Sequence, residues 1–315
     1  MIKKISFQDL ISANQISKND IDLIFDLARN YQQDLERNKI KKYSDLEGVI
    51  LATLFFEPSS RTRFSFEGAM MRLGGNLISL ENGLSSAAKK GESLSDMGRI
   101  IGNYADLVII RHSQNDSALE FSRNCQIPVI NGGDGSNEHP TQSLTDLFTI
   151  KQDKGRLDNL KIGFVGDLKY GRTIYSLVKL LNLYPNNKFY LISHKLSQIS
   201  SKRRKAIEKI NGEIIETEDL NNTIKDLDIL YVTRIQKERF EDEQEYQIVK
   251  DKYQISKQLL EKGKNDLSIM HPLPRVDEID IEVDSFPQAK YFTQAQNSLF
   301  IRMALLKLLT DKKYR

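Results

Sequence analysis

The chain has a single cysteine, Cys125, among its 315 residues. An internal disulfide is therefore excluded, and no cysteine cluster can hold zinc. Tryptophan is absent, which excludes little by itself. Long apolar runs are missing too. The longest near-continuous one covers 49–56, far short of the ~20 residues that cross a bilayer. Charge of one sign is also lacking: 46 Lys+Arg face 43 Asp+Glu, a net of +3. That excludes the strongly basic footprint of a dedicated nucleic-acid binder. The opening MIKKISFQDL has two lysines with no apolar stretch behind them. No signal peptide is read there, and the expected location is the cytoplasm. None of the four histidines pairs with another at metal-ligand spacing, so a mechanism without metal is expected.

What is present fits a soluble globular protein. Hydrophobic residues make up 39%, and mean hydropathy is -0.45. The length suits about two domains of roughly 150 residues each. After a polar helical opening, with Ser17 or Asn19 as a cap, short apolar runs alternate with helix-like segments. They cover 48–56, 76–80, 106–111 and 127–132 in the first half. In the second half they cover 160–167, 188–193, 213–217, 228–234 and 267–273. Runs rich in Val, Ile, Leu and Phe predict strands buried on both faces, as in parallel sheets covered by helices. The expectation is α/β: two doubly wound parallel-sheet domains of four to five strands, with an active-site cleft between them. A helix over 141–152 forms the joint. A last amphipathic helix over 298–309 takes Asn297 or Ser298 as its cap. The charge run SSKRRKAIEK (200–209) reads as a solvated helix face rather than a nucleic-acid patch.

Five segments carry chemistry. In FFEPSSRTRFSFEG, Ser59, Ser60, Arg61 and Thr62 bracket a helix start directly after a strand. A helix N-terminus offers unpaired N–H groups and positive potential. Ordinary capping needs one hydroxyl, and two arginines in that first turn oppose the dipole, so the segment reads as an anion site suited to phosphate. SSAAKKGESLSDM (85–97) reads as an exposed loop, with Glu92 opening a helix. Arg111 ends a buried strand and is either a cleft residue or a salt-bridged rim residue. NGGDGSNEHPTQ places His139 and Gln142 around Pro140, a residue suited to the first helical turn. GDLKYGRT is close to a phosphate-cradling G-x-x-x-x-G-K-[ST] loop, but Arg172 replaces the lysine. A planar guanidinium suits a carboxylate, and Arg234 with Gln236 ends another strand the same way. Finally, the two prolines of MHPLPR leave backbone carbonyls free as acceptors for an amino group, while His271 reads as structural.

Taken together, FFEPSSRTR, KKGE, IRHSQ, DGSNEHPTQ, GDLKYGRT, TRIQKER and HPLPR resemble the aspartate carbamoyltransferase family, in order, from about Phe55 to Leu309. The resemblance implies a transferase that moves the carbamoyl group of carbamoyl phosphate to the α-amine of L-aspartate, an early step of de novo pyrimidine biosynthesis. It implies that Ser59, Ser60, Arg61 and Thr62 bind phosphate. Thr62, Arg111 and His139 then address the carbonyl oxygen, and Gln142 helps hold the carbamoyl group. Arg172, Arg234 and Gln236 take the aspartate carboxylates. Pro272 and Leu273 offer carbonyls to the carbamoyl and amine nitrogens. Ser86 and Lys90 match loop residues that reach a neighbouring subunit's site, with Lys90 serving both substrates, so the partners implied are the two substrates and a homotrimer with shared sites. A separate regulatory chain is left open. No cofactor is implied, and no membrane or nucleic-acid partner. The implied division is 1–141 with the final helix 296–315 for carbamoyl phosphate, and 142–295 for aspartate. Pro58, Ala87–Ala88, Ser113 and Gln114 depart from the family pattern beside matched residues. The rivals are an ornithine-type carbamoyltransferase, a non-catalytic paralogue and a P-loop protein. The first expects a cysteine in an H-C-L-P segment where this chain has HPLPR. The second should have lost Arg61, Thr62, Arg111 or His139.

Overall fold

The computed structural model describes residues 4–38, 43–81, 91–207, 212–235 and 242–314. They form two compact units, 1–145 with 297–315 and 146–296. Among the described residues no helix is long and apolar enough to cross a membrane.

The first unit holds strands β1 (Ile50–Phe55), β2 (Asn76–Glu81), β3 (Leu107–His112) and β4 (Val129–Asp134) in the order β2-β1-β3-β4. Every pairing is parallel. β1, β3 and β4 are buried almost throughout, as their apolar runs predict. Their helices are α1 (Lys18–Arg37), α2 (Ser60–Arg72), α3 (Leu94–Ile101), α4 (Ser117–Ser122) and the start of α5 (Pro140–Lys154). Ser17 caps α1 in a capping box with Asp20, and Ser93 caps α3, each supplying the side-chain oxygen a helix start lacks.

The second unit is a five-stranded parallel sheet, β7-β6-β5-β8-β9. Its strands are β5 (Lys161–Val165), β6 (Lys188–Ile192), β7 (Glu213–Thr217), β8 (Ile229–Val232) and β9 (Ser268–Met270). The helices include α6 (Arg172–Leu181), α7 (Ser201–Ile207), α8 (Leu220–Thr223), α9 (Glu243–Lys252) and α10 (Lys257–Leu260).

The last helix, α11, runs Tyr291–Thr310. It starts seven residues before the expected Ser298. Asn297 is wholly buried inside it and caps nothing at its start. The apolar stripe, which begins at Leu299, marks the part of α11 that joins the first unit and not the helix start. There Arg302 is 2% exposed, with its guanidinium 4.7 Å from the centre of the Phe66 ring on α2.

Candidate active site

In each sheet the strand order reverses once, and ligands of open α/β sheets bind beyond the carboxyl ends of the strands at that point. In the first unit the reversal lies between β1 and β3. Phe55 is in register with Arg111, and Phe56 N–H donates to the Arg111 carbonyl at 2.8 Å. The loop after β1 and the end of β3 are thus side by side.

That loop leads into α2, whose N-cap is Ser59. Unlike Ser17 and Ser93, Ser59 makes no side-chain capping bond. Its hydroxyl instead donates to Thr62 Oγ1 at 3.0 Å. Thr62 is 6% exposed, while Ser60 and Arg61 are exposed at the helix start. Partial desolvation lowers the Arg61 pKa, and Arg61 has no ion-pair partner among the described residues. The second arginine is different. Arg63 pairs with Glu67 at 2.9 Å, one helical turn on, and Glu67 also receives the Thr53 and Ser79 hydroxyls. Arg63 thus has a local partner, so Arg61 is the arginine of that turn left as a candidate anion ligand beside Ser59, Ser60 and Thr62.

Arg111 is buried. Its Nη2 lies 2.9 Å from Glu57 Oε2, and its Nη1 donates to the Gly132 carbonyl at 3.1 Å. Glu57 had no sequence signal beyond its place in FFEP. His139 is 4% exposed, and its Nδ1 lies 3.4 Å from Thr141 Oγ1. The loop carrying it is fixed by Asp134, whose carboxylate receives the Glu138 and Asp116 backbone N–H groups and the Asn131 amide at 2.8–3.0 Å. Pro140 is the first residue of α5, where its missing N–H costs nothing. Gln142 is half-buried one turn on. The first unit therefore gathers Ser59, Ser60, Arg61, Thr62, Arg111, His139 and Gln142 on the segments that follow β1, β3 and β4.

The second sheet reverses between β5 and β8, the strands followed by Arg172 and Arg234. They cross closely: a side chain on Gly166, at φ 114°, would put its Cβ 2.3 Å from the Thr233 carbonyl. Only glycine fits that position. The turn after it does not cradle a phosphate. Asp167, almost wholly buried, already receives the Lys169 and Tyr170 N–H groups on Oδ1 at 3.0 Å, using the amides a P-loop would offer. Arg172 then opens α6 behind Gly171, which supplies no side-chain cap.

The charge run yields one residue the sequence does not reveal. Arg203 on α7 donates to the Lys169 carbonyl at 2.9 Å and lies 4.2 Å from the centre of the Tyr175 ring. Tyr175 itself donates to the Leu168 carbonyl, and burial pushes its pKa up to about 12. A stacked Arg–Tyr pair thus pins two consecutive carbonyls of the turn that precedes Arg172. β9, beside β8, runs into His271–Leu273, with Pro272 and Leu273 half-buried. Ser86, Lys90 and Gln236 lie outside the described residues.

Comparison with known proteins also divides the chain in two, near the end of α5, with the second match running on through α11. The carbamoyl-P binding domain model of the aspartate/ornithine carbamoyltransferases matches residues 8–152, and the Asp/Orn binding domain model matches 158–309. The chain is 48% identical over 301 residues to the aspartate carbamoyltransferase catalytic subunit of Thermococcus onnurineus, covering 96% of each. It is similar to the solved catalytic subunit of M. jannaschii aspartate transcarbamoylase, with a TM-score of 0.89 and 48% identity over 96% of this chain and 98% of that one. It is also similar to aspartate transcarbamoylase from Trypanosoma cruzi in complex with carbamoyl phosphate and aspartate, with a TM-score of 0.88 and 36% identity over 95% of each chain.

Proposed function

The chain belongs to the aspartate/ornithine carbamoyltransferase family, and from that premise we propose that it transfers the carbamoyl group of carbamoyl phosphate to the α-amine of L-aspartate. The products are N-carbamoyl-L-aspartate and phosphate, and the reaction fits an early step of pyrimidine synthesis. The observation that carries this reading is the register of Phe55 with Arg111. It sets an uncapped helix start beside a buried guanidinium in the unit matched by the carbamoyl-P model.

The chemistry needs no nucleophile from the protein. The amine attacks the carbamoyl carbon, negative charge grows on the carbonyl oxygen, and as the C–O bond to phosphate breaks the departing phosphate takes that charge and a proton from the amine. Ser59, Ser60, Arg61 and Thr62 compensate the phosphate, through hydroxyls, a guanidinium and the positive end of α2. Thr62, Arg111 and His139 donate toward the carbonyl oxygen, where one well-placed donor contributes ~2.7–4 kcal/mol of barrier lowering. Gln142 orients the carbamoyl amide, and the Pro272 and Leu273 carbonyls receive N–H groups of the carbamoyl and amine nitrogens. Arg172, Arg234 and Gln236 take the carboxylates of aspartate as planar or amide donors. Ser86 and Lys90 come from a neighbouring copy in a homotrimer with shared sites. Holding two anions in reacting distance supplies a further entropic gain.

Phosphate release from carbamoyl phosphate, measured with aspartate and with ornithine, tests the assignment. Release is expected with aspartate alone, and release with ornithine alone would overturn it. The ornithine reading finds no cysteine in HPLPR, and the three relatives named above are aspartate enzymes.

A further inference from the structure

Three histidines make the same local bond. His112, His194 and His271 each accept, on Nδ1, the backbone N–H two residues on, at 3.0, 3.3 and 2.7 Å. His271 is set apart by its surroundings. It is 1% exposed and faces a carboxylate, Glu278, that is 6% exposed. Its second ring nitrogen, Nε2, lies 2.7 Å from Glu278 Oε1.

Those two contacts fix the state of the ring. A backbone N–H only donates, so Nδ1 must be the bare acceptor, and the proton sits on Nε2, aimed at Glu278. The other Glu278 oxygen receives the Val276 and Asp277 N–H groups at 3.0 and 3.2 Å. The His271 N–H donates to Gln294 Oε1 at 2.9 Å. Gln294 in turn donates to Asp146 at 2.6 Å, and Asp146 also receives the Tyr231 hydroxyl at 2.8 Å. Gln294, Asp146 and Tyr231 are all 1% exposed or less. The turn after β9 is therefore tied to β8, α5 and α11 through side chains with no water to compete for their bonds. Leu273 sits at φ 56°, a left-handed conformation that costs a residue with a Cβ ~1–2 kcal/mol. Such strain persists only where the surroundings over-determine it, and the bond from Leu273 N–H to His271 is one of the contacts that hold it.

We propose that His271, oriented by Glu278, is a positioning residue for carbamoyl transfer. It holds the 271–273 turn so that the Pro272 and Leu273 carbonyls stay where the reacting nitrogens need them. The proposal rests on the function assigned above. Its sequence reading as a merely structural histidine gives way to a specific task, because the bond it makes falls within the turn that faces substrate in that assignment.

The test compares His271→Leu with His271→Asn. Leucine has similar bulk and no acceptor. Asparagine can accept the same N–H through the Asx-turn geometry that closes over two residues. The expected result for Leu is a kcat loss of about 100-fold, the scale of a ~1 Å misplacement of a reacting group, while affinity for inorganic phosphate, whose ligands lie in the first unit, is unchanged. Asn should recover most of that kcat. Equal kcat for Leu and wild type, or equal loss in Leu and Asn, would overturn the role of His271. No carbamoylaspartate from the unmodified chain would overturn the reaction itself, and this role with it. If the Leu chain does not fold, ring 15N shifts of the wild-type histidines decide the matter: a bare Nδ1 and protonated Nε2 at His271 are expected, and a protonated Nδ1 would overturn the proposal.

Discussion

Glu57 Oε2 stands 2.9 Å from Nη2 of Arg111, so the guanidinium assigned to the carbamoyl oxygen also faces a carboxylate of its own chain. Carbamoyl phosphate must draw Arg111 away from that partner. Part of the intrinsic binding energy is then used to break an ion pair. Glu57 is about one-third exposed, and partly exposed pairs are worth ~1 kcal/mol or less. Glu57→Gln should therefore tighten carbamoyl phosphate binding by up to about fivefold. Isothermal titration of the two chains measures this, and weaker binding in the Gln variant would contradict it.

Arg203 should matter to aspartate and not to carbamoyl phosphate. It anchors the turn before Arg172 through the Lys169 carbonyl and the Tyr175 face. Arg203→Ala should raise the aspartate KM by about tenfold, the cost of one lost charge-assisted hydrogen bond, with the carbamoyl phosphate KM unchanged. Lysine should rescue poorly, because it lacks the flat surface that stacks on tyrosine. Steady-state kinetics with each substrate varied in turn would show the split.

Acid stability should depend on two carboxylates of the second unit. Burial pushes both Glu278 and Asp228 upward. The hydrogen bond from His271 at Glu278, and that from Lys264 at Asp228, outweigh it and leave both below the usual carboxylate range. A carboxyl group lowered on folding contributes stability above its unfolded pKa and loses it as pH falls through the folded one. Tm should hold above about pH 5 and drop steeply below about pH 4. Asp228→Asn should be less stable at pH 7 and show a shallower acid slope. Calorimetry over pH 3–7 measures both, and parallel curves would contradict the assignment.

Shared sites predict rescue between inactive chains. Arg61→Ala removes the guanidinium of one copy's phosphate site, and Lys90→Ala removes the loop residue assigned to a neighbour's. Refolded mixtures should regain part of the wild-type rate, because some sites then take both intact residues. Mixed trimers confirmed by mass spectrometry but still inactive would show that each chain completes its own site.

The nine strands of the described residues were legible, because runs such as 106–111 and 228–234 hold four consecutive apolar residues, too few for a helix, between polar ends; burial on both faces does not extend to β7, which is half-exposed. Candidate residues that end strands, among them Arg111 and Arg234, were legible for the same reason: a charged residue after such a run is conspicuous. What escaped was pairing across the chain. Glu57 meets Arg111 from the loop after β1, Glu278 meets His271 across a turn, and Arg203 reaches Lys169 from 34 residues away. No periodicity encodes such contacts. Arg63, one of two arginines whose place in the first turn suggests an anion, has a local partner four residues on in Glu67. The start of α11 was missed because its first turns, from Tyr291, lack an apolar stripe.

The first unit is discontinuous, closed by residues 297–315 after the whole of 146–296 has intervened. Its interior needs them: Ile301, Leu305 and Leu308 are wholly buried, and Ile5 N–H bonds to the Tyr314 carbonyl at 2.8 Å. On the ribosome the second unit is therefore complete before the first can be. At ~5–20 residues per second, the first unit waits about 8–30 s for its last helix, with the floor of its core open. Until residues 297–315 are made, the first unit lacks the apolar side chains of α11 that complete its interior.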